Sequence, residues 1–125
     1  MSFRSSHRNL LAWQQAMDLV EVVYLETATF PREETYGLTS QIKRCAISVP
    51  SNIAEGAARN SSRELRHFLG IACGSMAELE TQLELAIRLR FLKPNARSVS
   101  QLGRVRSLVI ALRRSLNTRV MAAPD

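Results

Sequence analysis

Nine cations, Arg88, Arg90, Lys93, Arg97, Arg104, Arg106, Arg113, Arg114 and Arg119, fill the last third of the sequence, with no acidic residue between Leu85 and Pro124. Guanidinium forks match the oxygens of a phosphate, and each phosphate neutralised releases counterions, so such a segment can hold a polyanion without regard to base sequence. The asymmetry is large: residues 1–84 carry eight Lys/Arg against ten Asp/Glu, and residues 85–125 carry nine against one, so the whole excess of the +6 net charge lies at the C-terminal end. Phe91 is nearly alone there as an aromatic that could stack on an unpaired base. Contact is therefore expected with nucleic-acid backbone rather than with bases. Alternatively, the arginines pair with Glu78, Glu80 and Glu84 and form a solvated face, although three carboxylates cannot match nine cations.

The elements that must carry these residues are helices. Ser98-Val99-Ser100-Gln101 has the spacing of a capping box and opens a helix with Leu102, Val105, Val109, Leu112 and Leu116 inward. On its wheel Arg106 and Arg113 border one edge of the apolar stripe, Arg97 and Arg104 the other, and Arg114 lies on the back. These five are the candidate nucleic-acid contacts. The preceding helix is expected from about Ser62 to Phe91, started by Ser61 and Glu64 as a second capping box and ended by Lys93-Pro94-Asn95. Its inward positions are Leu65, Leu69, Ala72, Met76, Leu79, Leu83 and Ala86, at alternating four- and three-residue steps.

Earlier in the chain, Asn9 is the expected N-cap of a first helix with Leu10, Trp13, Met17, Val20 and Tyr24 inward, and Pro31 follows its end. Pro31 to Gly37 reads as a short loop with room for one helical turn. A second helix then turns Leu38, Ile42, Cys45 or Ala46, Val49 and Ile53 inward. Pro50 interrupts it, by a kink within one helix or by a break with a restart capped by Asn52; because the apolar spacing runs through in register, one helix kinked at Pro50 is expected. Four amphipathic helices with short connections predict an all-α, up-and-down antiparallel four-helix bundle spanning residues 1–125 as one domain. A short basic arm over residues 1–8 and a frayed tail from about Thr118 flank it.

Two further sets of residues stand out. Gly70, Gly74, Ala77 and Thr81 run along the side of the third helix away from its apolar stripe. Two helical glycines cost roughly 1 kcal/mol each against alanine. Close approach of a neighbouring subunit would offset that cost, which makes these four the candidate oligomer contact; the alternative is chance drift of small residues onto an exposed face. Asn52, Glu55 and Arg59 share a helix face beside Gly56, with Glu55 and Arg59 spaced for an i, i+4 pair. They serve either as a structural cluster at the helix end or as a binding surface.

Catalytic chemistry is thinly represented. His7 and His67 are far apart in sequence, Ser51 and Ser75 have no evident base, and metal-protease, phosphate-loop and dinucleotide-fold patterns do not occur. Cys45 and Cys73 lack metal-site spacing and read as reduced, buried thiols of a cytoplasmic protein. No window approaches the roughly 18 apolar residues of a membrane span. No enzyme activity, metal, cofactor, membrane or small-molecule substrate is expected.

The sequence resembles the 23S rRNA intervening-sequence proteins, small bacterial bundles. The resemblance rests on Leu11 to Ala16, Phe30-Pro31, Glu34 to Leu38, Gln41-Ile42, Phe68-Leu69, Gly74-Ser75, Glu78-Leu79 and above all Ser48-Val49-Pro50-Ser51-Asn52-Ile53-Ala54-Glu55-Gly56 with Arg59. It covers roughly residues 10–92. It implies a four-helix bundle assembled as a homopentamer, without established catalysis, some members being encoded in insertions within ribosomal RNA genes. More distantly it implies a likeness to the basic pentameric accessory protein of diversity-generating retroelements, which binds nucleic acid and a reverse transcriptase. The fourth helix matches only in pattern.

Overall fold

The computed structural model describes residues 6–122, with side chains described from His7 to Asn117. Four helices follow in order, Leu11–Thr27 (α1), Leu38–Ala58 (α2), Ser62–Arg88 (α3) and Arg97–Ala122 (α4), with 3-10 turns at Ser6–Asn9 and Arg32–Glu34 and no strand among the described residues. Each helix packs against two others, α1 on α2 and α4, and α3 on α2 and α4. Contacts run in opposite order along neighbours: Cys45 and Gly56 of α2 meet Ser75 and Phe68 of α3, and Arg106 and Arg113 of α4 meet Glu80 and Gly70. The architecture is the expected up-and-down four-helix bundle.

The core is aliphatic. Leu19, Val23, Ile42, Val49, Ile53, Leu69, Met76, Leu79, Val105 and Val109 are fully or almost fully buried, and of the inward positions expected for α2, α3 and α4 only Leu38, Leu65 and Leu112 are less than buried, packing against the core from its margin. In α1 the stripe lies elsewhere. Ala12, Ala16, Leu19, Val22 and Val23 are buried, whereas Met17 and Tyr24 are 42% and 43% exposed and Leu10, Trp13 and Val20 only flank the core. Both stripes fit helical spacing; the two alanines win because they let α1 sit close against its neighbours, and the larger side chains become a wedge at the α1/α2 border. Trp13 there stacks edge-on with His7 at 4.8 Å and lies under Arg8 at 5.1 Å, so part of the expected basic arm is folded onto the bundle.

Helix ends show how local chemistry sets the boundaries. Asn9 falls inside the first 3-10 turn, and Leu10 is the N-cap of α1 without a side-chain cap bond. Ser61 caps α3 as expected, its hydroxyl accepting from the Glu64 N–H at 3.2 Å. α3 ends three residues before the expected Phe91 because Arg90 adopts φ 66°, in the left-handed region. The Phe91 N–H then bonds the Ala86 carbonyl at 2.8 Å and the Arg90 N–H bonds the Ile87 carbonyl at 3.0 Å, a Schellman closure made with arginine where glycine is usual. α4 starts one residue before the expected cap: Ser98 lies inside the helix, fully buried, and donates its N–H to Glu26 Oε2 of α1 at 3.1 Å. A carboxylate from the first helix thus takes the role expected of the Ser98 hydroxyl. The α4 backbone is helical to Ala122; residues 1–5 and 123–125, and the side chains of the expected tail from Thr118, lie outside the described residues.

α2 runs unbroken through Pro50, so a restart capped by Asn52 does not occur. Around the missing proline N–H, side chains bond nearby carbonyls: Ser48 to Cys45 at 2.6 Å, Ser51 to Ile47 at 2.8 Å and Asn52 to Ser48 at 2.8 Å. Gly56, one and a half turns later, brings α2 against the start of α3. A Cβ added there would lie 2.8 Å from Phe68 Cβ and 3.0 Å from Leu65 Cδ1, whereas one at Gly74 would meet nothing within 4 Å. Gly56→Val is therefore expected to destabilise by about 1–3 kcal/mol through overpacking, and Gly74→Ala to stabilise by up to about 1 kcal/mol through helix propensity. Thermal melts of the two variants check this.

Both cysteines are free thiols. Cys45 donates its S–H to the Ser75 carbonyl at 3.0 Å, and burial, with the Glu78 carboxylate adding to it, pushes its pKa up from 9.0 to about 11. The folded state thus holds this proton more tightly than the unfolded chain. Its contribution to stability is complete below pH 9 and is lost as pH rises from 9 to about 11. Stability of Cys45→Ala should fall less steeply over that window, as measured by denaturant titration at each pH.

Candidate nucleic-acid interface

α4 presents its cations on two edges of a buried stripe formed by Leu102, Val105, Val109 and Leu116. The edge toward α3 is engaged. Arg106 Nη1 donates to Glu80 Oε2 at 3.1 Å, and this pair spans the two helices. Two turns further on, the Arg113 guanidinium lies across Gly70, with Nη2 2.9 Å from where a glycine Cβ would be. Its Nε is buried with no partner among the described residues. The next turn brings the Asn117 amide oxygen to the Nε–H of Arg66.

The opposite edge makes no ion pair among the described residues. Arg97, Gln101 and Arg104 share it at four- and three-residue steps, and the Gln101 amide donates to the Gln15 carbonyl of α1 at 2.9 Å, which fixes that edge beside α1. Arg97, Arg104 and Arg114 are exposed, and none has a carboxylate within ion-pair distance among the described residues. Of the three glutamates that could have neutralised the segment, Glu80 takes Arg106, Glu84 takes Arg88 at 2.9 Å, and Glu78 takes no cation among the described residues. The five candidate contacts therefore divide: Arg106 and Arg113 are committed to α3, and Arg97, Arg104 and Arg114 face outward. The side chain of Arg119 lies outside the described residues.

The small-residue seam divides as well. Gly70 is covered by the Arg113 of its own chain, while Gly74 faces open space and Ala77 and Thr81 are exposed, the Thr81 hydroxyl donating back to the Ala77 carbonyl at 3.0 Å. Arg66 was not among the sequence-derived candidates. Its signal was available, since it lies one turn before Gly70 on the same side of α3 and so borders the same groove.

The cluster around Pro50 serves the α2–α3 corner. Pro50 and Gly56 are buried, and Asn52 is bonded to its own helix. Glu55 pairs with Arg59 at 3.4 Å on the surface, and the Arg59 guanidinium lies 5.3 Å from the Phe68 ring. Pairs of this exposure contribute little to stability; their geometry closes the end of α2 over the start of α3. Among the described residues no group of three or more His, Cys, Asp or Glu could hold a metal ion, and no helix is long and apolar enough to cross a membrane.

No curated protein matches the chain. The resemblance carried by the Pro50 segment is borne out at the level of the family: the model of the 23S rRNA-intervening sequence proteins matches residues 8–111, from the turn before α1 to the middle of α4, and the chain belongs to that family.

Proposed function

We propose that the protein is a non-catalytic, cytoplasmic, homo-oligomeric bundle that grips the phosphate backbone of structured RNA, ribosomal RNA among the candidates, or of DNA. One observation carries this: the outward cations of α4, Arg97, Arg104 and Arg114, lack carboxylate partners among the described residues. They lie in a segment with nine Lys/Arg against one Asp/Glu. Exposed like charges without counter-ions contribute nothing to the fold and attract polyanions over a Debye length of about 10 Å in 0.1 M salt.

The division of α4 into two edges sharpens the test. Reversing Arg97, Arg104 and Arg114 to glutamate should abolish binding to a generic structured RNA while the melting curve stays near that of the wild type. Single replacements by glutamine should each lower the slope of log affinity against log salt by about 1. Arg106→Glu with Arg113→Glu should cost stability first, since it breaks the contacts to Glu80 and Gly70. Unchanged affinity and salt slope in the triple variant would overturn the proposal.

A second class of function, a protein-interaction scaffold without nucleic acid, is favoured by a different observation. Leu11, Met17, Tyr24, Leu25 and Ile47 are each more than 40% exposed on α1 and α2. Pull-down with and without nuclease separates the two classes, a protein partner retained after digestion favouring the scaffold. For assembly, a homopentamer is the proposal that follows from family resemblance. Light scattering should give a mass several times the 14.0 kDa chain, lowered by Gly74→Leu if the open part of the seam is a subunit contact.

A further inference from the structure

A cavity of about 430 Å³ lies between α2 and α3, and no residue of α4 lines it. Tyr36 stands at it almost wholly exposed, Arg44 and Cys45 line it from α2, and Ser75, Glu78 and Gln82 line it from α3. Tyr36, Gln41, Ser48, Ser75 and Glu78 of its lining lie in the segments that carry the family resemblance, but their spacing along the chain did not point to a cavity. We infer that this cavity binds a small zwitterion of the α-amino-acid class, its carboxylate held by Arg44 and its ammonium by Glu78 and Gln82.

The charges are placed for such a molecule and for neither half of it alone. Arg44 and Glu78 belong to facing helices, yet they form no ion pair among the described residues, so a cation and an anion are both left uncompensated on one cavity. A simple anion would meet the Glu78 carboxylate, and a simple cation the Arg44 guanidinium. A molecule carrying both groups answers both, with the planar guanidinium suited to a bidentate carboxylate.

The second observation is Gln82. It is only 8% exposed, it lines the cavity, and its Oε1 has no partner among the described residues. Buried amide oxygens are nearly always bonded, so this acceptor, closed to solvent on a side chain that lines the cavity, calls for a donor that a turn of the Gln82 amide toward the cavity would meet. An ammonium offers three N–H donors to this end of the cavity, where Glu78, one turn before Gln82, supplies the charge. Glu78 lies close enough to Cys45 to add to the rise in its thiol pKa, which is consistent with a carboxylate turned toward the cavity.

Thermal melts of the full chain with each standard L-amino acid, and with ethylamine and acetate as single-charge probes, test this. At about 10 mM ligand and a Kd of about 1 mM, the folding equilibrium constant should rise about 11-fold, a Tm increase of about 5 °C. At least one amino acid should give this shift, ethylamine and acetate should not, and titration calorimetry should find one site per chain. Arg44→Gln and Glu78→Gln, both surface changes, should keep the ligand-free Tm and lose the shift. The proposal is overturned if no amino acid stabilises the wild type, if either single-charge probe does as well as the zwitterion, or if both variants respond as the wild type does.

Discussion

The bundle depends on how closely α2 and α3 approach each other. At one end of their contact the bare backbone of Gly56 admits Phe68 and Leu65 to distances that no β-carbon would allow. Nearer the middle, the Cys45 thiol reaches the Ser75 carbonyl across the same interface. This contact lets Leu69, Met76 and Leu79 interdigitate with Ile42, Val49 and Ile53 in one dry layer. Pro50 fits the arrangement because its ring is buried, while Ser48, Ser51 and Asn52 satisfy carbonyls around it from within the helix. The densest motif of the sequence is thus a site of close helix approach, and its polar members mainly serve the backbone.

The electrostatics follow from the same framework. Once α3 is fixed against α2, its opposite side offers Glu80 and the open backbone of Gly70 to α4, and these two positions decide which arginines turn inward. Arg106 finds a carboxylate, and Arg113 finds a hollow that a glycine leaves. On the other edge Gln101, between Arg97 and Arg104, bonds Gln15 of α1, and the two arginines stay in solvent. One helix therefore carries structural and solvent-facing guanidinium groups, separated by which neighbour each edge meets.

Much of this was legible in the residues. The stripes of α2, α3 and α4, the Ser61 cap and the single turn between Pro31 and Gly37 follow from spacing and capping chemistry, which act over a few residues. What escaped was decided by partners distant in the chain. Two stripes of α1 fit the helical period, and only packing against α2 and α4 chose the alanine-lined one. Arg90 ended α3 in a conformation that glycine usually announces, and the glutamate that caps α4 belongs to α1. At the candidate interface, net charge singled out the segment, but a helical wheel does not tell which edge meets a carboxylate. The α2/α3 cavity is lined by Tyr36, Gln41, Ser48, Ser75 and Glu78, all in segments that carry the family resemblance, yet their order along the chain does not announce it, because they become neighbours only through tertiary structure.

The bond from Glu26 to the first turn of α4 reaches across 72 residues and makes the last helix dependent on the first for its start. The Val99 N–H closes back on the Ala96 carbonyl at 3.1 Å, but the buried Ser98 N–H is satisfied only when α1 is docked, so the two ends of the chain belong to one cooperative unit. Slow amide exchange in the first turn of α4 should then share its opening free energy with the end of α1, and the free cations would hold their spacing only in a molecule whose first helix is already in place.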